Sequence, residues 1–289
     1  MSNGWTSLLI AALLTVPSCT RSDRVPERDA GTAPDTGIVA RVLHRAGPAQ
    51  RWRTVTTPSF RLHVRAGSAS DRRISALGDS AEAARRTVLR RLAIADAAQS
   101  APVDLVFADT RAEMARLVGR PTAGVVPRHS RAAFLLAGAA YRPLFRHELT
   151  HVYTLDAWGE PGPGGAWLSE GLATLVAGPC AGAGVDARTA DLARRGALVP
   201  LTRLVHGFAS LPEPVAYVQA ASVLGFLLRT EAGLDTVRAL WRGTAAGGPR
   251  APAHPLGPDG ARLERAWRAH LDRVHPVPAD TLEILRSGC

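Results

Sequence analysis

The five residues His147-Glu148-Leu149-Thr150-His151 constrain this chain more than any other stretch, because two imidazoles four positions apart can act together only if the backbone between them is helical. On an α-helix such positions lie about 40° apart around the axis and about 6 Å along it, so both rings can address one ion. Residues 144–155 contain neither Gly nor Pro, and Pro143 suits a first turn, where a missing N–H costs nothing. Glu148 sits one step round the same helix, near the ion without having to ligate it. Eighteen residues separate His151 from Glu170, which lies in Trp167-Leu168-Ser169-Glu170-Gly171. A breaker-rich stretch from Gly159 to Gly165 lets a second apolar helix, about 166–177, turn back toward the first. Two histidines and one carboxylate make the three-ligand set of a catalytic zinc, with a fourth position left for water. Structural zinc sites are instead closed by four ligands rich in Cys. The plain alternative is a solvated helix bearing two histidines beside an unrelated acid.

The pairing of the His147–His151 motif with Trp167-Leu-Ser-Glu-Gly171 resembles the gluzincin zinc metallopeptidases, most closely the bacterial peptidase MA-like domain family, over about residues 51–272. The resemblance implies one zinc ion (Zn2+) per chain, held by His147, His151 and Glu170. Glu148 is then the carboxylate that takes a proton from water and returns it to the departing amine. It also implies an α+β, zincin-like metallopeptidase fold, with a small mixed sheet over the HExxH helix and a mainly helical C-terminal half. Peptide or protein is the implied substrate, bound by strand addition near residues 132–138 unless that stretch is an ordinary core strand. Relatives with a thermolysin-like site often carry an acidic residue four after the third ligand to orient a histidine; Thr174 stands there, so that support must come from elsewhere. Tyr217 opens a Tyr-x-Gln-x-x-Ser helix similar to one in the family and is the candidate donor to the developing oxyanion. Otherwise its ring packs at a helix start with the hydroxyl in water. His129 and His206 sit beside Pro127 and Gly207 and read as loop residues without a role. A catalytically inactive protease-like scaffold or binding lipoprotein is the competing function; the intact set of two histidines and two glutamates speaks against it.

Upstream of the domain, the apolar run Leu8–Val16 fits the core of a signal peptide and is too short to span a bilayer, which takes about 20 residues. Val16-Pro17-Ser18-Cys19 resembles a lipobox, although Pro17 and the lack of Lys or Arg before the core depart from it. The expectation is a lipoprotein-type signal over 1–18 and a lipid anchor on Cys19 at the bacterial cell envelope, with a secretory signal or uncleaved anchor as the alternative. Residues 19–50, with Pro26, Gly31 and Pro34 and little apolar periodicity, read as a flexible tether. Cys180 and Cys289 then remain as either a disulfide or free thiols. The net charge of +10 comes from 35 basic residues that are all Arg; they are scattered, without an aromatic-interleaved strip, so no nucleic-acid partner is expected.

Residues 51–289 read as one catalytic domain, made of a strand and helix lobe at 51–140 and a helical lobe at 141–289. Phe60, Leu62 and Val64 alternate as in a half-buried strand, and Ile74, Leu77, Ala81, Ala84, Val88 and Leu92 mark one face of a long helix. Val103–Phe107 and Ala132–Leu136 are further strands, and Thr110 with Glu113 forms a capping-box signature before a short helix. Downstream, 185–195, 215–230, 234–242 and 261–274 are helical, with Trp241 and Trp267 expected in the core.

Overall fold

The first described element is a helix, α1 (Ile38–Arg45), inside the stretch expected to be a flexible tether. Ile38, Val39, Val42 and Leu43 form a narrow apolar stripe, and Val39 is buried in a cluster with Met114 and Leu117. The expectation for 19–50 is therefore corrected at 38–45. Four apolar residues are too few to stand out as a periodicity, yet they hold a helix once another face covers them. The computed structural model describes residues 37–46, 51–96, 101–138, 141–162, 164–179, 184–230, 233–245 and 260–277. They belong to one compact unit that begins at Pro34. Cys19, Cys180 and Cys289, with the anchor and disulfide expected of them, lie outside the described residues, as does the 1–18 signal segment.

Five strands follow: β1 (Trp52–Thr56), β2 (Phe60–Arg65), β3 (Val103–Ala108), β4 (Gly124–Val125) and β5 (Ala132–Leu136). Their order in the sheet is β1-β2-β3-β5-β4, with β2, β3 and β5 parallel and the two outer strands antiparallel to their neighbours. The parallel pairs need crossovers. A single turn, α2 (Ala69–Arg72), and the long α3 (Ile74–Leu92) connect β2 to β3, and α4 (Arg111–Val118) leaves β3 toward β5. Thr110 caps α4 by accepting the Glu113 N–H, while the Glu113 carboxylate accepts the N–H of Asp109 rather than that of the cap residue. The chain is thus α+β.

Period-two alternation sorts the side chains to two faces. Phe60, Leu62, Val64, Val103, Leu105, Phe107, Ala133 and Leu135 enter the main core with α3 and with α5 (Tyr141–Trp158). Val106, Ala108, Ala132 and Phe134 point the other way, under α1 and α4. β5 is an interior strand, flanked by β3 and β4, so the expectation of an open edge at 132–138 is corrected: β4, only two residues long, takes the edge.

The helical half runs through α6 (Ala166–Ala177), α7 (Val185–Arg194), α8 (Leu201–His206), a 3-10 turn at Phe208–Ser210, α9 (Glu213–Leu228), α10 (Gly233–Ala245) and α11 (Gly260–Leu271). α9 is apolar on all sides because α6, α7 and α10 surround it. Trp241 and Trp267 are core residues whose indole N–H groups are satisfied by Gly159 O at 3.0 Å and Ser222 Oγ at 3.1 Å.

One polar cluster interrupts the second sheet face. Asp104, buried on the central strand, accepts from Arg61 Nε and Nη2 at 2.7 and 2.6 Å and from His63 Nε2 at 2.7 Å, and His63 Nδ1 meets Thr54 Oγ1 at 3.0 Å. Burial alone would raise the Asp104 pKa, but the bonds from Arg61 and His63 prevail and hold it at about 2. A carboxylate depressed in the folded state stabilises the fold above its unfolded value and loses that contribution as pH falls through about 4 to about 2. Asp104→Asn is therefore expected to cost on the order of 2 kcal/mol at pH 7, with the gap to wild type closing below about pH 3, as read by urea denaturation.

Candidate metal centre

α5 keeps helical geometry through the motif because Leu144, Phe145, Leu149, Val152 and Tyr153 bury one face of it in the core. The opposite face is left to His147 and His151. Gly159, at φ +78°, and Gly164, at φ +86°, take left-handed conformations that allow the chain to reverse between α5 and α6. α6 then packs on α5, anchored by buried Trp167 and Leu168, with Glu170 toward the histidines. Its Gly171 permits close approach of α9: a Cβ there would stand 2.8 Å from the Cβ of Ala220. Three residues before Ala220, Tyr217 is thereby brought into the site.

His147 Nε2 and His151 Nε2 are 3.2 Å apart, and Glu170 Oε2 lies 3.2 Å from the first and 3.4 Å from the second. Among the described residues, these three are the one group of His, Cys, Asp or Glu side chains that converges closely enough to hold an ion. Ligand atoms bonded at about 2.05 Å to a tetrahedral ion stand about 3.3 Å apart, so the triangle has the dimensions of one face of a zinc coordination shell. The side chains are 12 to 27% exposed, which leaves a way in from solvent.

The electrostatics favour positive charge at the centre of that triangle. Burial would lower the His151 pKa, but Glu170, with Glu148 behind it, overrides burial and lifts it to about 9. Burial likewise pushes Glu170 upward, and the two histidines reverse this and hold it well below the ordinary carboxylate range. Carboxylates that stabilise a proton on imidazole in this way would also stabilise a divalent cation in its place.

Glu148 is outside the triangle and 5% exposed. Burial raises its pKa, with Glu170 adding to the effect and the histidines and Arg120 opposing it. A carboxyl moved upward from its usual range is suited to exchange protons near neutral pH. Tyr217 stacks its ring parallel to His147, centroids 6.3 Å apart, and against Phe208 at 5.5 Å, with the Glu170 carboxylate close enough to act on its hydroxyl electrostatically. Burial and the neighbouring carboxylates Glu170 and Glu213 keep the phenol protonated.

Two participants escaped the sequence reading. Ser169 Oγ lies 3.0 Å from His151 Nδ1 and so fixes the ring with Nε2 toward the centre. Its position directly before Glu170 was the available signal. Thr174, four residues after Glu170, does not serve: its Oγ1 is buried and, among the described residues, has no hydrogen-bond partner. The second participant is Gly124 of β4, whose main chain lies against Glu148 and which has no side chain to betray it. His129 pairs with Glu160 at 3.8 Å, and His206 is exposed on α8. Comparison with protein-family models and with curated proteins gave no match to this chain.

Proposed function

We propose that the chain is a zinc-dependent metallopeptidase of the gluzincin type on a zincin-like fold, hydrolysing peptide bonds with His147, His151 and Glu170 as zinc ligands. The observation that carries this reading is the convergence of the three donor atoms at 3.2 to 3.4 Å with a buried carboxylate beside them. Zinc supplies Lewis acidity, polarising the scissile carbonyl and lowering the pKa of water toward about 7.

The remaining work falls to side chains. Glu148, its pKa raised by burial, accepts the proton of the attacking water and delivers it to the amine as the C–N bond breaks. Ser169 holds His151 in register, and Tyr217, itself backed by Phe208, stacks against His147 from the side. The Tyr217 hydroxyl, protonated throughout the working range, is the neutral donor proposed for the carbonyl oxygen as negative charge grows on it.

An extended peptide fits the edge of β4. Because Leu136 N–H bonds to Ala123 O, the pair opposite Gly124, Leu135, is the non-bonded kind, so the Gly124 N–H faces away from β5. Substrate backbone pairing there lies beside Glu148, in place of the 132–138 edge expected from the sequence. Attachment to the cell envelope through Cys19 remains part of the proposal; among the described residues no helix is long and apolar enough to cross a membrane.

The test is hydrolysis of a peptide mixture, followed by mass spectrometry, by the zinc-loaded chain and by the same chain after chelation. Products that vanish with the metal and return with added zinc support the reading. An identical product set without metal overturns it.

A further inference from the structure

Gly124 does not owe its identity to backbone conformation, since it is not among the residues with positive φ. What glycine provides is room. A Cβ at this position would stand 2.3 Å from Glu148 Oε1, 2.7 Å from its Cδ and 2.8 Å from its Cγ. The collision involves the length of the side chain, and Glu148 is packed in with 5% of its surface exposed, so turning the carboxylate tip aside would not relieve it. Among the described residues, no hydrogen bond holds the Glu148 carboxylate in place. Packing is what confines it: α5 carries it from one side and the β4 main chain closes over it from the other, with β4 itself held by pairing to β5.

We propose that Gly124 is a positioning residue for Glu148, its bare backbone forming the wall that keeps the carboxylate in one rotamer. The inference rests on the reading of Glu148 as the proton-transferring group. A glutamate has three side-chain torsions, and a proton-transfer group that wanders by about 1 Å loses rate on the order of 100-fold. Any side chain at 124 would occupy the volume of the carboxylate and drive it to another rotamer. The three atoms nearest to such a Cβ all belong to Glu148 and none to the proposed ligands His147, His151 and Glu170, so zinc content is expected to be unchanged.

The experiment compares four full-length proteins: wild type, Gly124→Ala, Glu148→Ala and the double variant, measured for zinc content, thermal midpoint, kcat and KM. Gly124→Ala should keep one zinc and lose kcat by on the order of 100-fold, with KM changed less than about two-fold. Its Tm should fall by roughly 3–8 °C when Glu148 is present and by less than about 1 °C when residue 148 is alanine, because the added methyl then fits the vacated space. If Gly124→Ala folds only in the Glu148→Ala background, the contact is equally established. An equal Tm cost in both backgrounds marks Gly124 as a glycine needed for the strand alone and overturns the proposal, as does an unchanged kcat. Should the wild-type chain cleave no peptide, the peptidase reading fails separately, and the cycle in Tm still supports or refutes the wall.

Discussion

Glu148→Gln is expected to lower kcat for peptide hydrolysis by roughly a thousand-fold or more, the range that loss of a positioned acid and base produces, while zinc content stays at one per chain. The separation follows from geometry: Glu148 is outside the triangle formed by His147, His151 and Glu170. The same substitution should make the metal-free protein no less stable, and more so at pH 7. A carboxyl whose pKa is raised by burial resists ionisation in the folded state, so its charge counts against the fold above its unfolded pKa. Gln keeps the shape and removes the charge. Thermal melts and stopped assays on the same preparations check both halves. Lost activity with lost stability would make Glu148 a structural residue, and retained activity would remove it from the chemistry.

The second large effect is on metal binding. His151→Ala removes one of the three proposed ligands, and its effect on zinc affinity should exceed the 10- to 100-fold typical of losing an outer partner such as Ser169. Thermal stabilisation by zinc gives the readout. At a free zinc concentration about 100 times its dissociation constant, the wild-type chain gains about 2.7 kcal/mol, a rise of roughly 5–10 °C in Tm, and the variant at the same concentration gains little. Equal stabilisation of the two proteins would refute the ligand assignment.

Much of this centre was legible because its determinants are local. The histidines are four residues apart on one helix, a spacing that the 3.6-residue turn converts into convergence whatever the rest of the fold does. Glu170 was legible through its motif and through the glycines at 159 and 164 that reverse the chain. The strand at Phe60–Arg65 and the helix at Ile74–Leu92 showed themselves by apolar periodicity, which burial of one face requires. What stayed hidden depends on contacts between segments. β4 has two residues and no periodicity, and β5 reads as an edge strand until β4 is seen to cover it. Gly124 acts through the absence of a side chain, Ser169 through a hydroxyl aimed from one helix at another, and the ring stack on Tyr217 through Phe208, which reaches it from a separate turn. α1 is stabilised by the sheet face and α4 rather than by its own eight residues, so its apolar stripe carried no signal alone.

Anomalous diffraction at the zinc absorption edge, on crystals of the chain purified with zinc, tests the central claim most directly. The account predicts one peak per chain, about 2.0–2.2 Å from His147 Nε2, His151 Nε2 and a Glu170 carboxylate oxygen, with Glu148 uncoordinated. A peak elsewhere with this triangle empty, or a fourth protein ligand closing the shell, would contradict it.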